Sequence, residues 1–196
     1  MRHIFFAILL GLLVMQDSMA REIEGVMLPE QIEVEGKTLY LNGAGIRSKF
    51  FFDIYVGALY LPQKISDVRQ ILALQDTRKV TMHFLYRHIS QKKMRNAWEE
   101  GFRENLAREE WVALEDRIRL FQGFFSDVNR GDVYEFEMLP EGRTIIRGTR
   151  VRGIKKEKHL VPLGSIDGKD FQRALLLVWL GHEPADEDLK AAMLGH

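Results

Sequence analysis

Cysteine is missing from all 196 residues, which excludes thiol catalysis, thiolate zinc sites, iron–sulfur clusters and disulfide scaffolding together. Net charge is missing too. Lys+Arg 28 and Asp+Glu 28 cancel, so no basic excess exists to hold nucleic acid or an anionic membrane by bulk electrostatics. Proline is scarce at 5 residues, while 46% of the chain is apolar and 29% charged. That balance belongs to one folded globular domain and not to a disordered or fibrous chain. Beyond residue 20 no apolar run approaches the about 20 residues that a membrane helix requires.

The first twenty residues stand apart. Arg2 and His3 precede an apolar run from Ile4 to Met15, and Ser18-Met19-Ala20 follows. A charge, a short greasy core and a small-x-small site make the order of a secretory signal, so residues 1–20 are expected to be removed after Ala20 and residues 21–196 to form a periplasmic domain. A chain of that size buries roughly 70% of its unfolded surface and does without disulfides.

Along this domain the pattern alternates between strands and helices. Ile32 to Leu41 reads as strand, Asn42-Gly43-Ala44-Gly45 as a turn, and Phe50 to Leu61 as a strand apolar on both faces, the mark of a central strand covered on each side. Ser66 is the expected cap of a short helix through Leu74, followed by a strand from Val80 to Tyr86. Ser90 caps a longer helix carrying Met94, Ala97, Trp98, Phe102 and Leu106 on one stripe, and a second helix presents Trp111, Leu114, Ile118, Phe121 and Phe125. Val133 to Leu139 and Thr144 to Gly148 read as a hairpin around Pro140-Glu141-Gly142, and Asp167 to Leu180 and Asp186 to Leu194 as the closing helices. Strands, helices, strands and helices in that order indicate an α+β domain with an antiparallel sheet.

Most candidate chemistry fails on context. Gly43-Ala44-Gly45 leads into strand-forming phenylalanines instead of a helix, so no phosphate cradle forms. His83, His88, His159, His182 and His196 show no paired metal-ligand spacing, so neither a metal nor a cofactor is expected. Ser48 and Ser165 lack a nucleophile-elbow setting. The seven bases between Glu141 and Lys158 carry no interleaved aromatics and read as a charge-protected hairpin or edge strand. Arg47 remains, placed where the glycine-rich segment hands over to the most apolar strand. An arginine at the mouth of an apolar cleft pairs bidentately with a carboxylate or lowers a phenol's pKa; its plainer role is to cap a turn or pair with a surface acid such as Glu35.

Leu41-Asn42-Gly43-Ala44-Gly45-Ile46-Arg47, Lys49-Phe50 through Tyr55 to Leu61, Gly131-Asp132, Asp170-Phe171, and Trp179-Leu180-Gly181 before Pro184 together resemble the bacterial chalcone-isomerase-like family from about Val34 to Gly195. The resemblance implies the chalcone isomerase fold, an open-faced β-sandwich in which a large antiparallel sheet is covered by a layer of helices. It equates Arg47 with the arginine that plant chalcone isomerases use, and Tyr55 with their threonine on the next strand. The enzymes' tyrosine, lysine and asparagine fall at Ile89, Lys92 and Asn96, so the residue that would orient a catalytic water is lost. Fatty-acid-binding relatives keep the arginine for a carboxylate head. The resemblance therefore implies a non-catalytic periplasmic protein that binds a fatty acid or other apolar carboxylate through Arg47, Tyr55, Lys92 and Asn96. Its rivals are an isomerase or intramolecular lyase acting on a phenolic or enone substrate, and an envelope scaffold whose surface binds a partner. Nucleic acid and stable membrane insertion after signal cleavage are not expected.

Overall fold

The computed structural model describes residues 20–152 and 157–196. The expected export signal lies outside the described residues except for Ala20, and Lys155 and Lys156 of the basic stretch lie outside them as well. In chain order the strands are β1 (Ala20–Ile23), β2 (Val26–Pro29), β3 (Gln31–Val34), β4 (Lys37–Lys49), β5 (Phe52–Leu61), β6 (Arg78–Phe84), β7 (His88–Ile89), β8 (Val128–Asn129), β9 (Val133–Met138), β10 (Arg143–Arg152) and β11 (Glu157–Asp167). The helices are α1 (Val68–Ala73), α2 (Gln91–Asn105), α3 (Arg108–Gly123), α4 (Lys169–Leu180) and α5 (Glu187–Met193). One seven-stranded antiparallel sheet runs β11-β10-β9-β6-β5-β4-β3, with β1-β2 and β7-β8 as separate two-stranded ladders. This is the expected α+β architecture.

Each face of the sheet has its own core. Tyr55, Leu59, Met82, Phe84, Tyr134 and Phe136 meet the helices, where Trp98 of α2 sits edge-on to Phe121, Phe136 and Trp179 at centroid distances of 5.0, 5.6 and 5.6 Å. Val56, Ala58 and Tyr60 turn the other way, onto Leu28, Leu39 and Leu41. Both apolar faces expected for the Phe50–Leu61 segment are covered only from Ile54 onward; the strand begins at Phe52, and Phe50, Phe51 and Phe52, expected inside it, are exposed at its start.

Two of the turns have a simple origin. Glu24-Gly25 and Glu35-Gly36 all take positive φ (48°, 75°, 47° and 73°), the pair of left-handed residues that a type I′ hairpin requires.

Several expectations need correction. Asn42 to Gly45 lies inside β4 and is not a turn. Its glycines serve close approach: a Cβ on Gly43 would stand 2.0 Å from the Ala192 carbonyl oxygen, and one on Gly45 2.6 Å from the Ala192 Cβ, so they let α5 lie directly on the strand. Asp67, not Ser66, caps α1 by accepting from the Gln70 amide, and Gly168, at φ 120°, stands at the start of α4 where Asp167 was expected. α3 stops at Gly123, leaving Phe125 buried just past its end. The expected cap at Ser90 is present, accepting from the Lys93 amide. The described part of the basic stretch lies in β10 and the start of β11, and β11 is an edge of the sheet. Arg147 pairs with Glu137 at 3.2 Å and Lys158 with Asp132 at 2.8 Å, ion pairs internal to the domain.

Candidate functional site

The site begins with a register shift. Leu39 and Leu41 face the outer core, and after them Ala44 and Ile46 do so, an exchange of odd for even positions within one strand. The pairing to β5 shows why: Leu41 stands opposite Tyr60 and Gly43 opposite Leu59, which leaves Asn42 as an extra residue. A bulge of this kind moves every later side chain to the opposite face. Asn42 is 5% exposed and fully engaged, donating to the carbonyls of Ile65 (2.9 Å) and Met193 (2.8 Å) and accepting from the Ile65 amide (2.7 Å). Beyond it Gly43, Gly45 and Arg47 share the helix side of the sheet. There Arg47 stands directly opposite Tyr55 of β5.

Arg47 and Tyr55 form a pair. The guanidinium carbon lies 6.0 Å from the centre of the Tyr55 ring, and Nε donates to the Ala185 carbonyl at 3.3 Å. Among the described residues Arg47 makes no ion pair, so the suggested partner Glu35 does not hold it; next along the strand, the Ser48 amide donates to the Asp186 carboxylate at 3.0 Å, which also accepts from the Leu189 amide at 2.9 Å and so clasps β4 to the start of α5. Tyr55 is 4% exposed, and its hydroxyl accepts from the Trp179 indole at 2.9 Å. Burial pushes this phenol up to about 12, against the opposing pull of Arg47 and of the indole. It is therefore a neutral O–H at physiological pH, and its proton has no acceptor among the described residues.

Both side chains line a cavity of about 700 Å³ between the sheet and α2, within the range of small-molecule sites. Ile54, Met82, Phe84, Met94, Trp98 and Val178 supply apolar wall, and charged groups of both signs, Lys49, Lys93, Glu100 and Glu104 among them, stand at its rim. The Trp98 N–H is buried without an acceptor among the described residues, a further donor in the wall. Of the residues singled out in the sequence, Arg47, Tyr55 and Asn96 line the cavity, as does Ile89. Lys92 does not. It is exposed on α2, one residue short of Lys93, which does reach the lining. A second recess of about 480 Å³, near the C-terminus, is polar and bordered by Arg21, Lys64 and His196. Among the described residues no three His, Asp or Glu side chains gather to hold a metal ion, and no helix is long and apolar enough to cross a membrane.

Sequence reasoning missed Asn42, Asp186 and Trp98 as parts of this site. For Asn42 the signal was present, since apolar positions switch parity around one polar residue.

A family model described as chalcone isomerase-like matches residues 20–195. The chain belongs to the chalcone isomerase-like family. No curated protein matches it. Among solved structures it is similar to a fatty-acid binding protein of Arabidopsis thaliana, AtFAP1, with a TM-score of 0.65 at 14% identity over 90% of this chain and 96% of that one. At that identity the likeness establishes the chalcone isomerase-like fold alone. In this family member the arginine and tyrosine that the resemblance selected stand side by side at one cavity.

Proposed function

We propose that this chalcone isomerase-like protein binds a small apolar carboxylate, a fatty acid in the first instance, without turning it over. The observation that carries the proposal is the Arg47–Tyr55 pair at an otherwise greasy cavity. A half-buried guanidinium whose terminal N–H groups have no partner among the described residues, beside a phenol held neutral, offers charge-assisted donors to a carboxylate. The apolar wall takes the chain. The likeness to AtFAP1, itself a fatty-acid binding protein, supports the same reading. The isomerase alternative also draws on Arg47, which would stabilise developing phenolate or enolate charge. Against it stands Ile89, an apolar side chain on the cavity wall at the position where the enzymes carry a tyrosine. Residues 1–20 carry the proposal that the protein is exported and acts in the periplasm; intact mass of periplasmic material beginning at Arg21 is the expected result, and a chain retaining those residues would refute it. Native mass spectrometry of the protein purified from its host, with extraction of bound molecules, tests the ligand. An acyl carboxylate released on denaturation supports the proposal, and flavanone formation from chalcones above the uncatalysed rate overturns it.

A further inference from the structure

The tip of the β4–β5 hairpin carries three consecutive phenylalanines that the fold does not bury. Phe50, Phe51 and Phe52 are 87%, 99% and 55% exposed. Lys49 pairs with Phe52, which leaves Phe50-Phe51 as a two-residue loop. Phe50 takes φ 58°, a left-handed conformation normally given to glycine or asparagine. A bulky apolar residue at such a position, on the most solvent-exposed point of a hairpin, opposes both backbone preference and hydration.

The tip is part of the mouth of the cavity. Phe50 and Phe52 line it, and the Phe52 ring meets Tyr86 of the neighbouring segment edge-on at 5.5 Å. Phe51 projects away from it into solvent. The exposed ring area is about 500 Å² on a protruding point, below the roughly 800 Å² per partner of a stable protein interface. Insertion into a lipid surface needs no matching concavity, and its weak, reversible attachment suits exchange and not anchoring. The mouth mixes Lys49 and Lys93 with Glu100, Glu104 and Glu183, so the rings and not net charge must supply the attraction.

We propose that Phe50 and Phe51 dip into a lipid bilayer and bring the cavity mouth against it, so that an acyl-chain ligand passes between bilayer and cavity without crossing water. The proposal rests on the carboxylate-binding reading above, and its test separates the two.

Wild type, Phe51→Asp and Phe51→Trp are floated with phosphatidylcholine vesicles, with and without phosphatidylglycerol, at low and high salt. Wild type should float with both vesicle types and depend little on salt. Phe51→Asp should partition about tenfold more weakly and receive a fluorescent fatty acid from preloaded vesicles more slowly. Its melting temperature and its affinity for the same fatty acid in solution should be unchanged, because Phe51 lies outside the cavity lining. Phe51→Trp should keep vesicle binding and show a blue-shifted emission on adding lipid. Equal partitioning of wild type and Phe51→Asp, or no flotation of wild type, overturns the docking proposal even where fatty acid is taken up in solution. So does self-association in lipid-free sedimentation that Phe51→Asp abolishes, because the rings would then serve a second copy of the chain. Ring-dependent flotation with no uptake of fatty acid in solution would keep the docking surface and refute the ligand.

Discussion

At the scale of single residues, Tyr55 joins stability to the proposed binding. Its hydroxyl is the acceptor for the buried Trp179 indole, so Tyr55→Phe should lower stability by about 1–3 kcal/mol through an unsatisfied donor; equilibrium urea unfolding measures it, and an unchanged midpoint would show that the indole finds another partner. The raised phenol also predicts a direction at alkaline pH. The folded state resists ionisation to about 12 while the unfolded chain ionises near 10, so the stability that Tyr55 contributes is intact below pH 10 and lost between the two values. His83 gives the acid counterpart. Burial, with Lys79 nearby, lowers it to about 4, so the folded state binds fewer protons and stability falls as pH drops from 6.5 towards 4. Melting curves across that window should flatten in His83→Gln. A wild-type melting temperature constant from pH 7 to 4.5 would contradict this.

At the scale of elements, the bulge at Asn42 decides which side of the sheet Arg47 occupies. Asn42→Ala removes three buried hydrogen bonds and should cost about 2–4 kcal/mol, and loss of the bulge would carry Arg47 out of the cavity. Gly43→Ala sets a methyl against the α5 backbone and should destabilise by about 1–3 kcal/mol or more, as thermal melts would show; a neutral outcome would mean that α5 lies loosely on β4. These two positions also mark how far the sequence could be read. Period-2 and helical patterns located nearly every large element because burial imposes them: Val80, Met82 and Phe84 in β6, and Met94, Trp98 and Phe102 in α2, occupy the faces that their spacing predicts. The Asn42–Gly45 segment misled because glycines permit a turn and a close helix contact equally, and only the distant α5 selects between them. Strands with little apolar alternation, β1, β2 and β11, exist through pairing across the sheet or hairpin, which local sequence does not encode.

At the scale of the whole molecule, central strands with a core on each face form the floor of the cavity, and α2 lies along it from Lys93 to Glu104. Arg47 and Tyr55 were singled out by the family resemblance, and the pairing of β4 with β5 places them opposite each other at the cavity. Lys92, singled out in the same way, does not line it, since a one-residue difference on a helix turns a side chain by about 100°, and Lys93 takes the rim instead. Restoring the enzymes' ring with Ile89→Tyr should leave the protein inactive towards chalcones if the cavity is built for binding, as a ring-closure assay on both forms would show. The most direct test of the account is a titration of a fluorescent fatty acid into wild type, Arg47→Ala and Arg47→Lys, with melts alongside. Arg47→Ala should weaken binding by about 2–4 kcal/mol and Arg47→Lys should recover only part of it, because an ammonium lacks the bidentate fork; stability should fall by no more than about 1 kcal/mol, the worth of one backbone hydrogen bond. Equal affinity in all three proteins, or no uptake by wild type, would contradict the claim that this cavity is a carboxylate site.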